Sequence, residues 1–292
     1  MNEVRLAGGG IEVVVLPGVG ARIHALRAFG HDVLRTPADP EAHRREPFAW
    51  GGYVMAPWCN RVAAEPTEVA GEVVTPAANS ADGSAIHGQV HSVPWRVLDD
   101  GRFGVSAGGR GDPGGSGWPW PYGVTFGIGI AAESLRLDLQ LTNGGSSPMP
   151  GGIGIHPWFI RPLQAAIHGN LVYPDNLSSS ATPEPVAGTF DRRTISDFPV
   201  GLDAAWTDVA DPPVELRWPD IGIAATMRVR GPTPHIVAAR LPDVDAVAIE
   251  PQTHAPQGLR RLLRGEPGAL AMLEPGATLR LTIDLEFRRE AG

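Results

Sequence analysis

Two stretches of the chain alternate apolar and polar residues without a break. Over 135–142, Leu135, Leu137, Leu139 and Leu141 interleave with Arg136, Asp138, Gln140 and Thr142. Over 279–288, Leu279, Leu281, Ile283, Leu285 and Phe287 interleave with Arg280, Thr282, Asp284, Glu286 and Arg288. Successive side chains of a strand point to opposite faces, so a period of two predicts half-buried antiparallel strands. Shorter apolar runs at 11–16, 124–130, 224–230 and 244–249 predict further strands. Turn-forming sequences separate them, among them Asp99-Asp100-Gly101, Thr142-Asn143-Gly144-Gly145 and Leu273-Glu274-Pro275-Gly276. One helix is predicted, over 256–264, with Leu259, Leu262 and Leu263 on one face and Gly265 as its stop. The polar, Gly- or Pro-rich stretches 108–117 and 177–191 read as surface loops. Neither a βαβ rhythm nor a repeat nor a linker interrupts this pattern. The expectation is a single all-β domain over residues 1–292.

Composition sharpens that picture. The 292 residues include 37 glycines and 29 prolines, which suit many short strands joined by turns. At 42% hydrophobic, the chain has material for a large core. A net charge of −8 disfavours a nucleic-acid partner, because phosphate binding wants a basic face. All 24 basic residues are arginine, which excludes Schiff-base lysine chemistry and a P-loop lysine. Cys59 is the only cysteine, so neither an internal disulfide nor a cysteine-based zinc cluster can form. Its neighbours make it a small buried hydrophobe rather than a nucleophile. Glu3, Arg5 and Glu12 precede any long apolar run, and no stretch has the length of a membrane span. These features predict a cytoplasmic protein without a membrane partner.

Four segments carry candidate chemistry. In Gly151-Gly152-Ile153-Gly154-Ile155-His156-Pro157-Trp158-Phe159, an imidazole sits among glycines and large aromatics. Aromatic rings pack on the apolar face of a sugar, and an imidazole exchanges protons near neutral pH. A structural histidine held by backbone carbonyls would look the same. In Val247-Ala248-Ile249-Glu250-Pro251, a carboxylate ends an apolar strand, where a pocket could raise its pKa and make it a general base. A solvated strand-end glutamate is the simpler reading. Ala56-Pro57-Trp58-Cys59-Asn60-Arg61 and the later Ile86-His87-Gly88 offer hydrogen-bond donors for hydroxyls, or an ordinary surface ion pair at Arg61. His87 and His91 stand four apart, a helical metal spacing, but Gly88 and Pro94 argue against a helix there. Leu202-Asp203 with Trp206 combines an acid and an aromatic, and on residue pattern alone it reads as a surface turn.

Taken in order, these pieces resemble the aldose 1-epimerase (galactose mutarotase) family. The match runs through Asn60-Arg61, Ile86-His87-Gly88, Trp118-Pro119-Trp120-Pro121-Tyr122 and Leu141-Thr142-Asn143. It continues through Gly154-Ile155-His156-Pro157-Trp158-Phe159, Leu202-Asp203, Glu250-Pro251-Gln252-Thr253 and Leu273-Glu274-Pro275-Gly276. Each motif is short; their order and spacing over most of the chain make the resemblance specific. It implies a large antiparallel β-sandwich of the galactose mutarotase-like supersandwich type, with a sugar cleft on one concave face. It also implies His156 as catalytic acid, Glu250 as catalytic base, and Arg61, His87 and Asp203 as holders of the sugar hydroxyls. Trp158, Phe159 and Ile160 stand where galactose mutarotases usually read Tyr-Phe-Asn, and Trp206 where a Phe is more usual. The acid–base pair is retained, but the sugar need not be galactose.

The implied reaction interconverts the α- and β-anomers of a hexose or related aldose by acid/base ring opening. It requires no cofactor and no metal, and its partner is a monosaccharide, bound by a monomer or homodimer. Alternatives are a hexose-6-phosphate mutarotase, with Arg61, Arg96 or Arg161 on the phosphate, and a noncatalytic sugar-binding module on the same fold. A glycoside hydrolase would need two flanking carboxylates, and Asp203 is the evident partner for Glu250.

Overall fold

The computed structural model of the chain describes residues 2–109, 117–175 and 181–290. Its dominant feature is one 18-stranded sheet with antiparallel pairing throughout, which divides into two leaves at a single long strand, Asp203–Trp218. The first half of that strand pairs with His235–Ala239 and leads into the first leaf, Ala246–Gln252, Gly154–Ile160, Gly52–Met55, Arg22–Ala28, Ile11–Leu16 and Val4–Gly8. Its second half pairs with Ile223–Arg230 and leads into the second leaf, Thr278–Arg289, Ser134–Asn143, Pro121–Ala131, Phe103–Gly108 and Arg96–Val97.

The leaves face each other across the core. Ile155, Pro157 and Phe159 of the first leaf meet Leu135, Leu137, Ile283 and Leu285 of the second. The alternation over 135–142 and 279–288 therefore marks strands with one face in this core, where each fully buried leucine or isoleucine contributes about 1.5–3 kcal/mol. Asp284 breaks the pattern, since it is buried on the otherwise polar face. It is satisfied by Arg136 at 2.7 Å and Arg230 at 2.6 Å from neighbouring strands.

Other expectations shift in detail. The strand expected at 244–249 runs Ala246–Gln252, so Glu250 lies inside it rather than at its end. The predicted helix forms as Gly258–Arg264 and is stopped by Gly265 in the left-handed conformation. A second, one-turn helix spans Ala42–Arg45. Asp203 does not sit in a surface turn; it opens the 16-residue strand on which the sheet divides. Of the expected loops, 110–116 and 177–180 lie outside the described residues, and 181–191 carries a short strand, Glu184–Pro185, and a 3-10 turn, Gly188–Phe190. No helix among the described residues is long and apolar enough to cross a membrane.

Candidate active site

Strands Gly154–Ile160 and Ala246–Gln252 are covered on both faces, which is why their sequences show no clean alternation. Odd-numbered residues of the first point into the core, and His156 and Trp158 point the other way. The glycines ahead of His156 have a steric cause. A Cβ on Gly154 would come within 2.9 Å of Gln252, Cys59 and the Pro251 carbonyl, and one on Gly152 would strike the His254 ring. Only glycine lets these strands and the Cys59 segment close up at this point.

Register then assembles the site. Gly154 pairs with Gln252 and Trp158 with Ala248, which places His156 opposite Glu250. Tyr53 pairs with His156 on the far side, and Val237 with Glu250, giving a row Tyr53–His156–Glu250–Val237 across the leaf. One step along the strands lies a second row, Trp158–Ala248–Ala239–Asp203. Of the two alanines between the indole and the carboxylate, Ala239 lines the cleft and Ala248 is fully buried. Arg61 lies in the small ribbon formed by Arg61–Val62 and Ala85–Ile86, and His87 directly follows its second strand. Arg61 and His87, with Tyr53, His156, Glu250, Trp158, Ala239 and Asp203 of the two rows and Phe48 and Asn60 beside them, line a cleft of about 370 Å³, a size suited to a small ligand.

All five site residues expected from the sequence, His156, Glu250, Arg61, His87 and Asp203, thus share one cleft. His156 Nε2 lies 3.2 Å from Glu250 Oε1. The remaining polar atoms of the pair, His156 Nδ1 and Glu250 Oε2, are buried without a hydrogen-bond partner among the described residues. Burial pushes the Glu250 carboxyl well above its ordinary range, Asp203 adds to the rise, and Arg61 opposes it. Burial also pushes His156 down to about 3. The distance alone would suit an ion pair, but both shifts favour the neutral forms. Both directions place the pair's one titratable proton on the carboxyl side of the contact.

The other groups make defined contacts in this geometry. His87 Nδ1 accepts the Asn60 N–H at 3.3 Å, which leaves Nε2 as the protonated donor of a neutral ring. His87 holds this position at a φ of 60°, in the left-handed region that few residues other than glycine adopt. Arg61 is tied by its Nε to Asp82 at 2.7 Å. Trp158 donates its indole N–H to the Phe48 carbonyl at 2.6 Å, with its ring 4.8 Å from that of His156. His87, His156 and Glu250 keep their ligand-type atoms within 4.8 Å of one another, but the contacts just described already employ His156 Nε2 and His87 Nδ1 as hydrogen-bonding groups. His91 takes no part in that cluster; its ring packs 4.9 Å from Phe48.

Several expectations are corrected. Trp206 does not sit in a surface turn: it is fully buried in the core with its indole N–H on the Phe190 carbonyl. Arg96 is exposed on a short strand, and Arg161 pairs with Asp245 at 2.9 Å, so neither lines the cleft. Tyr53, Asn60 and Phe48 line the cleft although the residue pattern gave them no weight. Asn60 stood beside Arg61 in a quoted motif, whereas nothing local marks Tyr53 or Phe48.

Comparison with known proteins agrees with this architecture. The profile of the aldose 1-epimerase family matches residues 3–181, a segment that contains Arg61, His87 and His156. The chain belongs to that family. A galactose mutarotase-like protein from Clostridium acetobutylicum superposes with a TM-score of 0.82 at 17% identity, covering 98% of this chain and 94% of that one. The GalM/aldose epimerase homologue from C. elegans gives 0.82 at 16% identity, with 99% of each chain covered. Galactose 1-epimerase from Lactobacillus acidophilus gives 0.76 at 17%, covering 99% and 95%. The fold is therefore the galactose mutarotase-like β-sandwich over the whole length. A search of curated proteins returns no significant match.

Proposed function

We propose that the protein is an aldose 1-epimerase acting on a neutral aldopyranose, with Glu250 as base and His156 as acid. The observation that carries this reading is the buried cross-strand contact of 3.2 Å between them, at the floor of a sugar-sized cleft. Anomer exchange needs one proton removed from O1 and one delivered to the ring oxygen O5, and a pair holding a single proton has that stoichiometry. A sugar hydroxyl at Glu250 and the nearby Arg61 guanidinium favour the carboxylate, which moves the resting proton onto His156. Glu250 then takes the O1 proton as C1=O1 forms; the C1–O5 bond breaks, and His156 protonates O5. Rotation about C1–C2 presents the other face of the aldehyde. Reclosure returns both protons.

The other cleft residues fit hydroxyl recognition. His87 presents an N–H, Arg61 a guanidinium aligned by Asp82, and Asp203 a carboxylate beside Ala239. Charge favours a neutral sugar over a hexose 6-phosphate: Glu46 and Asp203 line the cleft, and Arg61, the one cation there among the described residues, is shared with Asp82. The retained acid–base pair favours an enzyme over a noncatalytic binding module. Polarimetry of freshly dissolved α-anomers tests the reading. A panel of neutral hexoses and pentoses should show accelerated mutarotation, glucose 6-phosphate little; acceleration of none, with calorimetric binding intact, would leave a sugar-binding module.

A further inference from the structure

Behind the proposed acid lies a buried charge that the reaction as described does not use. Arg22 opens the strand Arg22–Ala28 and is fully buried. No carboxylate pairs with it among the described residues. Its guanidinium donates instead to three backbone carbonyls, those of Pro47 at 2.6 Å, Trp50 at 3.0 Å and His91 at 3.2 Å. Burying an unpaired cation is costly, and interior arginines are ordinarily matched to an acid. Burial lowers its own pKa to about 10, which still leaves it charged at neutral pH.

Two contacts connect this charge with the cleft. The Arg22 guanidinium lies 4.6 Å over the ring of Tyr53, and the other side of the sequence of contacts is Tyr53 stacked on His156 at 4.6 Å and 19°. Two of the three carbonyls it holds, those of Pro47 and Trp50, belong to the segment 46–50, whose Glu46, Pro47, Phe48 and Ala49 form one wall of the cleft. Phe48 in turn takes the Trp158 indole N–H.

We propose that Arg22 is a positioning residue for the acid–base pair. It clamps the 46–50 wall and props Tyr53 against His156, and its fixed positive charge disfavours the imidazolium. His156 is thereby kept in one orientation and made a stronger acid toward the ring oxygen when it carries the proton. The groups facing His156 are Tyr53, His87 and Glu250, with Arg22 behind Tyr53; Asp203 and Arg61 act on the pair through Glu250. Arg22 is the cation among them that neither touches the cleft nor is neutralised by an acid.

This inference rests on the proposed mutarotase activity, and two variants separate charge from clamp. Arg22→Lys keeps the charge but not the fork that reaches three carbonyls; Arg22→Met removes both. The measurement is the pH–rate profile of mutarotation on the best sugar of the panel, with thermal melts as a check on folding. Arg22→Met should move both limbs of the profile to higher pH by about one unit, the size of one charge acting across two rings at an effective dielectric of about 20, and should lower kcat about tenfold or more. Arg22→Lys should leave the limbs in place while KM rises. Should either variant fail to fold, Tyr53→Leu, which breaks the stack but leaves Arg22 in place, should reproduce the loss in kcat. Limbs unmoved in a folded Arg22→Met, or full activity in Tyr53→Leu, would overturn the proposal. Absence of activity in the unmodified protein would instead remove the function on which it rests.

Discussion

His156 Nε2 and Glu250 Oε1 meet at 3.2 Å across two adjacent antiparallel strands, with both side chains almost wholly buried. Neither is carried on a flexible loop. Their separation is fixed by the same ladder that pairs Gly154 with Gln252 and Trp158 with Ala248, and rigid elements hold reacting groups more closely than loops do.

That contact predicts the shape of the pH–rate profile. Burial drives His156 down to about 3 and Glu250 upward, so the pair keeps its single proton over a wide range. Activity should persist well below the ordinary imidazole range and fall on the alkaline side as that proton is lost. Both limbs belong to the pair rather than to either residue. Polarimetric rates from pH 4 to 10 check this; an acid limb near about 6.5, the value of a solvated imidazole, would contradict it.

The wall opposite Asp203 should govern sugar affinity. Trp158→Phe keeps a ring in the cleft wall but loses the hydrogen bond to the Phe48 carbonyl. Such a bond is worth about 1 kcal/mol, so KM should rise about fivefold with kcat little changed. Steady-state kinetics would show the effect in KM.

Stability should depend on pH through the buried histidines. Burial lowers His43, His91 and His156 to about 3, and His235 and His254 to about 4. Between those values and about 6.5 the unfolded chain binds protons that the folded chain does not. Their contribution is complete above about 6.5 and is lost as pH falls toward 4. Glu250, raised by burial, acts in the opposite sense and partly offsets it. Melting temperature should decline steeply from pH 6.5 to 4; a flat dependence there would be inconsistent with buried, neutral rings.

Asp284 offers a test of the second leaf that should spare the chemistry. Its carboxylate, buried and held low by Arg136 first and Arg230 as well, joins three strands. Asp284→Asn should cost about 1–3 kcal/mol in urea unfolding, because charge-assisted bonds are replaced by weaker ones. Mutarotation kinetics should be unchanged.

The second-leaf strands were readable because one face meets the core and the other meets water, which prints a period of two on 135–142 and 279–288. The strands bearing His156 and Glu250 are buried on both sides, so neither shows alternation; an apolar run marks the second, and motif resemblance points to the first. Asp203 was misread as a turn because its strand is defined by partners far along the chain, Ala239 among them. Arg22 left no trace at all. Within 22–28 it looks like a polar interruption in an apolar strand, and the carbonyls that satisfy it lie 25, 28 and 69 residues away. Local patterning records which face meets water; it does not record which distant segments meet each other.

The most direct test replaces the carboxylate alone. Glu250→Gln preserves size and hydrogen bonding but can neither accept nor hold the pair's proton. Polarimetry on α-glucose or α-galactose, with calorimetric binding in parallel, should show turnover reduced about 10²- to 10⁴-fold and sugar affinity within a few-fold of the parent, and His156→Asn should behave alike. Parent-like mutarotation in both variants would mean that the proton transfers occur elsewhere, and the assignment of this cleft as the catalytic site would be wrong.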